Sequence, residues 1–201
     1  MIEFLLTGLL RVLTGAVVRS RGFSFEPPVQ RIYYANHTSH LDTVLIWGLV
    51  PRSKRRHVRP AAAKDYWWSS ATRRYIAEKI FRAVPVTRHR ETRDDDPLHD
   101  LEMALAQGDS LIFFPEGTRG TGGKIQPFKN GLYRLVAKHP GVTLVPVYIN
   151  NLNRVLPKGA LLPVPIICTV TFGAGFTLKP DEQRPGFIAR AQSELEALVT
   201  P

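Results

Sequence analysis

Arg31-Ile32-Tyr33-Tyr34-Ala35-Asn36-His37-Thr38-Ser39-His40-Leu41-Asp42 starts as a strand and finishes inside a helix. Ile32, Tyr33 and Tyr34 favour a pleated, buried surface. Asn36-His37 opens a polar loop, and a helix is expected from about Ser39 to Leu49. Upstream, Glu26-Pro27-Pro28 isolates this unit from the N-terminus, since consecutive prolines cannot continue a helix. Downstream the alternation recurs. Val58 to Ala63 is expected to be a strand, Ala71 to Arg82 a helix, and Val84 to Val86 a short strand. Asp96-Pro97 places a cap and first-turn proline at a helix start, and Gly108 ends that helix. Ser110 to Phe114 is a short buried strand. Asn130 to Lys138 is a helix closed by Pro140, and Val142 to Ile149 another strand. Thr169 to Phe172 adds one more, before a final helix from about Asp181 to Leu198. The pattern predicts an α/β fold with a mixed, largely parallel central sheet flanked by helices. Ligands in such sheets gather beyond the carboxyl ends of the strands. His37 and Glu116 each follow a strand, so their segments can share one cleft.

At 201 residues and 44% hydrophobic, the chain suffices for one well-cored domain. Lys and Arg total 27 against 17 Asp and Glu, and the net charge of +10 favours anionic partners. A single cysteine, Cys168, excludes an intrachain disulfide. It lies in the apolar run Pro165 to Val170, which marks it as a buried structural thiol rather than a nucleophile. Phe4 to Val18 is apolar but interrupted by Arg11, and falls short of the ~20 residues of a transmembrane span. Glu3 precedes it and Arg19 and Arg21 follow, the reverse of a secretory signal. Leu5, Leu6, Leu9, Leu13 and Val17 instead fall at helical spacing. That suits a helix lying in a membrane interface, or one packed on the domain's own core.

His37 is the first candidate for chemistry. An unperturbed imidazole titrates near pH ~6.5 and can accept a hydroxyl proton at neutral pH. Asp42 could hold the other ring nitrogen, forming the base–orienter half of a triad. Ser39-x-x-Asp42 also matches a helix capping box, in which Asp42 would bond only backbone. His40 is a rival imidazole. No Gly-x-Ser-x-Gly elbow is present, so a substrate hydroxyl attacking directly is simpler than an enzyme nucleophile. The second candidate segment is Phe114-Pro115-Glu116-Gly117-Thr118-Arg119. It is either a solvated charged turn or a rigid one presenting the Arg119 fork to a phosphate.

Asn36-His37-x-x-x-x-Asp42 together with Phe114-Pro115-Glu116-Gly117-Thr118-Arg119 resembles the paired signature of the glycerolipid acyltransferases, which include the 1-acylglycerol-3-phosphate acyltransferases. Val84-Pro85-Val86-Thr87-Arg88, Val145-Pro146-Val147-Tyr148-Ile149 and Pro127-Phe128-Lys129-Asn130-Gly131 resemble further blocks of that family, in the same order. The resemblance covers roughly residues 30 to 150. It implies that His37 takes the proton of an acceptor hydroxyl attacking an acyl thioester, with Asp42 orienting the imidazole. Arg88, Glu116, Gly117, Thr118, Arg119 and Lys129 would bind substrate, with Arg88 and Arg119 on its phosphate. Thr87 stands where the family often has an acidic residue, which bears on acceptor identity.

The apolar spacing thus predicts an N-terminal membrane-associated helix within residues 1–25, and the resemblance implies an acyltransferase α/β domain over 26–201. The expected partners are membrane lipids, a lysophospholipid acceptor, and acyl-CoA or acyl-carrier protein as donor. No nucleic acid, metal or bound cofactor is expected, and the location is peripheral, on the cytoplasmic face of a membrane. Other acceptors, such as glycerol-3-phosphate or a lyso-aminolipid, are alternatives. A non-catalytic lipid- or polyanion-binding protein is the rival class, against which the intact His37/Asp42 pair argues. The basic run Arg52 to Arg59 suits anionic lipid or donor phosphates better than nucleic acid, or else is a solvated loop. Tyr66-Trp67-Trp68 fits either headgroup depth or the core. Arg88 to Asp96 mixes charges without metal-ligand spacing.

Overall fold

The computed structural model describes residues 15–39, 41–87, 96–120, 124–152 and 168–199. Among them seven strands form one sheet: β1 (Val17–Arg21), β2 (Arg31–Ala35), β3 (Val58–Ala63), β4 (Val84–Val86), β5 (Ser110–Phe113), β6 (Thr143–Asn150) and β7 (Thr169–Gly173). The helices are α1 (Asp42–Leu49), α2 (Lys64–Trp67), α3 (Ala71–Tyr75), α4 (His99–Ala106), α5 (Gly131–Lys138) and α6 (Arg184–Glu196). The strand order is β1-β7-β6-β2-β5-β3-β4. All pairings are parallel except β6 with β7. The expected mixed, largely parallel α/β sheet is therefore present.

Strand β2 is buried throughout, because β6 and β5 flank it and helices cover both faces. The two-residue side-chain period of a strand divides its residues between two cores. Tyr33 and Ala35 pack with Leu45, Ile46 and Trp47 of α1, whereas Ile32 and Tyr34 pack with residues of α4, α5 and α6. Each fully buried large side chain of this kind contributes about 1.5–3 kcal/mol relative to exposure. Pro146 sits inside β6, and β7 passes it with Gly173, where a Cβ would come within 2.8 Å of the proline ring.

This layering positions a crevice. The chain leaves β2 toward the face carrying α1, but leaves neighbouring β5 toward the face carrying α5. Adjacent loops that diverge to opposite faces open a gap at the carboxyl ends of their strands, the usual ligand position in open α/β sheets.

Several local expectations need correction. Val17–Arg21, assigned above to the N-terminal helix segment, form instead the edge strand β1. Gly15 has φ +53°, outside the helical region, and β-branched Val17 donates its N–H to the Cys168 carbonyl at 2.8 Å. Residues 1–14 of the proposed helix segment lie outside the described residues. The helix expected over Ala71 to Arg82 turns from α to π geometry at Ile76–Ile80 and stops where Arg82 adopts φ +49°. Asp96 accepts from the Leu98 N–H at 3.1 Å in a turn, so α4 starts at His99. Gly108, at φ +85°, ends it as expected.

The basic run Arg52 to Arg59 is largely consumed by the fold. Arg55 closes the end of α1, donating to the Val50 and Gly48 carbonyls at 2.8 and 2.6 Å while its cation lies 5.1 Å over Trp47. Arg59 donates to the Arg82 carbonyl at 2.8 Å, and Lys54 to that of Phe25 at 2.6 Å. Long basic side chains bury their stems this way whenever a helix end or loop offers unpaired carbonyls. Trp67 and Trp68 are half-buried against the α1 side of the core, and Trp68 Nε1 donates to Glu78 at 2.9 Å.

Candidate active site

Asn36, at the end of β2, is spliced to β6 by its carboxamide. Its Nδ2 donates to the Ile149 carbonyl at 2.9 Å, and its Oδ1 accepts the Ile149 N–H at 2.8 Å. The side chain replaces one rung of the ladder and lets the main chain leave the sheet at a fixed point. His37 follows immediately. Its Nδ1–H donates to Asp42 Oδ2 at 2.8 Å, and the same oxygen accepts the N–H groups of Thr38 and Ser39 at 2.7 and 2.8 Å. The Asp42 carboxylate is an acceptor in all three contacts, so Nδ1 carries the ring proton and the lone pair lies on Nε2. Imidazole orienter and backbone acceptor, posed above as alternatives, are combined in Asp42, although the amides it binds belong to the loop before α1 and the cap position, Leu41, has no side-chain cap bond. Asp42 is 0% exposed, which keeps water from competing for these bonds.

The second segment closes over the first. Phe114 stacks on the His37 ring, with centroids 4.2 Å apart and planes at 20°. The Gly117 N–H returns to the Phe114 carbonyl at 3.1 Å in a turn where Gly117 has φ +71°. A Cβ at Gly117 would also lie 2.9 Å from Lys129 Nζ, because the lysine crosses directly over it. The backbone conformation favours glycine here, and a side chain would also push the Lys129 chain aside. Glu116 is 3% exposed. Its Oε1 accepts the His37 N–H at 2.8 Å and its Oε2 the Gln126 N–H at 3.2 Å. Burial pushes its carboxyl above the ordinary range, against the pull of these two amides. Gly120 N–H donates to the His37 carbonyl at 2.8 Å. The main chain of His37 is thus held on both sides by the segment that carries Arg119.

The His37 ring and Arg119 line one cleft of about 210 Å³, whose other walls include Ala61, Ala62, Tyr66 and Phe114. An imidazole and an exposed guanidinium therefore share a cleft at the carboxyl ends of β2, β3 and β5. Thr118 and Lys129 are exposed nearby, and Thr87 is half-buried. Arg88 and His40 lie outside the described residues. A second cleft of about 260 Å³ is lined by Asn36, Thr38, Glu116, Lys124 and Tyr148 among others, and not by His37 or Arg119. Reasoning from sequence gives no role to Asn36 or Phe114. A polar amide directly after an apolar strand is the available signal for Asn36.

Cys168 is fully buried, and desolvation first, then the Asp42 charge, pushes its thiol up to about 11. Iodoacetamide at pH 8 should add nothing to the native protein and one adduct after unfolding, as read by intact mass. Rapid native labelling would contradict the buried-thiol assignment.

Comparisons with known proteins bear on the whole arrangement. The Acyltransferase family model matches residues 24–150. The chain is 28% identical over 135 residues to the chloroplastic 1-acyl-sn-glycerol-3-phosphate acyltransferase BAT2 of Brassica napus, covering 64% of this chain and 35% of that protein. It is 29% identical over 146 residues to 1-acyl-sn-glycerol-3-phosphate acyltransferase alpha of Ovis aries, covering 71% of this chain and 48% of that one. The chain thus spans less than half the length of either curated relative. The crystal structure of the 1-acyl-sn-glycerophosphate (LPA) acyltransferase PlsC from Thermotoga maritima superposes with a TM-score of 0.73 at 21% identity, over 100% of this chain and 80% of that one. Among the described residues no helix is long and apolar enough to cross a membrane.

Proposed function

The chain belongs to the glycerolipid acyltransferase family, and from that premise we propose that it moves a fatty acyl group from an acyl-CoA or acyl-carrier-protein thioester to the free hydroxyl of a lysophospholipid. The leading acceptor is 1-acyl-sn-glycerol-3-phosphate, giving phosphatidic acid, with the protein working peripherally at the cytoplasmic face of a membrane. One observation carries the reading: His37, with its tautomer set by Asp42 at 2.8 Å, opens into the same cleft as Arg119.

The acceptor hydroxyl attacks the thioester carbonyl while its proton passes to His37 Nε2. A C–O bond forms, the tetrahedral intermediate collapses, and the C–S bond breaks. The imidazolium then returns the proton to the departing thiolate, leaving an ester and a free thiol. Asp42 stabilises the transient imidazolium and prevents the ring from flipping. Arg119, with Arg88 and Lys129, supplies the cations for the acceptor phosphate, and Thr118 a hydroxyl at the same rim. The left-handed turn at Gly117 lets the Lys129 side chain lie close against the backbone at this rim. No step uses a covalent acyl-enzyme, since the buried Cys168 has the wrong surroundings for a nucleophile.

Labelled acyl-CoA and acyl-carrier protein, supplied with acceptors in anionic phospholipid vesicles, test the assignment. 1-Acylglycerol-3-phosphate should be acylated faster than glycerol-3-phosphate or a lyso-aminolipid. Arg119→Ala should raise the KM for the phosphorylated acceptor by about 10–100-fold, the equivalent of losing a charge-assisted bond of roughly 1.5–3 kcal/mol. An unchanged KM would remove Arg119 from the phosphate.

A further inference from the structure

The resemblance that places Glu116 among the substrate contacts does not fit the environment of its carboxylate. Both oxygens are taken by main-chain N–H groups, of His37 at 2.8 Å and Gln126 at 3.2 Å, and the residue is 3% exposed. Where it does border a cavity, that cavity is the one it shares with Asn36 and Thr38, not the one lined by His37 and Arg119. A carboxylate that already accepts two amides in a dry site is costly to redirect toward a substrate hydroxyl, because each buried N–H left behind loses its partner. The same main chain is held from two other directions. Gly120 N–H binds the His37 carbonyl at 2.8 Å, and the Asn36 carboxamide pins the preceding residue to Ile149.

We infer that Glu116 and Asn36 are positioning residues that clamp the peptide group joining Asn36 to His37, and that Glu116 makes no contact with the acceptor. The inference rests on the reading of His37 as the base. Asn36 fixes the clamp to β6, and Glu116 fixes it to the turn after β5. The imidazole is thereby held between Asp42 and the Phe114 ring without using its own reactive nitrogen. A carboxylate is the right group at position 116, since one side chain must accept two amides from different segments.

The test uses the full chain with Glu116→Ala, Glu116→Gln and Asn36→Asp. Misplacing a reacting group by about 1 Å can cost roughly 100-fold, so kcat should fall by about that factor in Glu116→Ala, with acceptor KM within about twofold of wild type. Glu116→Gln keeps one carbonyl oxygen for the His37 amide and should lie between the two. Asn36→Asp retains the acceptor for the Ile149 N–H but replaces the donor to its carbonyl, and should also lower kcat without raising KM. A rise in acceptor KM at constant kcat in Glu116→Gln would overturn the inference. An activity-free readout separates this from the choice of reaction. The His37 Nδ1 proton should give a slowly exchanging low-field NMR signal in wild type and exchange faster in the Glu116 and Asn36 variants. Unchanged exchange in all three would overturn the clamp even if acyl transfer stands.

Discussion

His37→Ala is expected to lower kcat by about 10²–10⁴-fold, the usual contribution of a positioned general base. The protein should remain folded, because the bonds that hold this loop run to the His37 main chain. Glu116 accepts the His37 N–H and Gly120 donates to the His37 carbonyl, and alanine leaves both in place. Only the ring contacts, to Asp42 and Phe114, are lost. Circular dichroism and thermal melting check the fold, and steady-state kinetics the rate. Activity lost together with the folded state would mean that His37 matters as a packing residue instead.

Asp42→Ala should damage both rate and stability. One buried oxygen accepts from His37 Nδ1 and from the Thr38 and Ser39 amides, and alanine strands all three donors. Buried donors left unpaired cost about 1–3 kcal/mol each, and water entering the opened loop recovers part of that, so a net loss of about 3 kcal/mol is expected. At this chain length that corresponds to roughly 6–12 °C in Tm. Asp42→Asn separates the two roles. Its amide oxygen can still receive the backbone N–H groups, so Tm should fall much less. The negative charge opposite the imidazolium is nevertheless gone, and a loss in kcat on the order of 10⁴ follows the behaviour of an orienting carboxylate in a triad. Equal loss of stability in both variants would contradict this division.

Much of the fold is legible in the order of residues along the chain. Strands such as Arg31–Ala35 and Val58–Ala63 are marked by local composition and bounded by polar turns, and both form where expected. Asp42 is harder to read because its two roles compete on paper. Only the folded loop places Nδ1 and two amides around a single oxygen. The edge strand Val17–Arg21 escapes such reading because its pairing partner, β7, lies about 150 positions along the chain, beyond the reach of any periodicity. The basic run is only partly legible for a related reason. Charge density alone does not reveal that Arg55 and Arg59 face carbonyls of the fold itself. Glu116 joins a loop and a turn from different strands, so its burial is a property of tertiary structure.

Thiol release from an acyl thioester, followed with and without 1-acylglycerol-3-phosphate, tests the His37-based ternary scheme most directly. Wild type should release thiol only when the acceptor is present, in step with phosphatidic acid formation, and His37→Ala should be slower by about 10²–10⁴-fold. A stoichiometric burst of thiol without acceptor, or equal turnover by a folded His37→Ala protein, would contradict it.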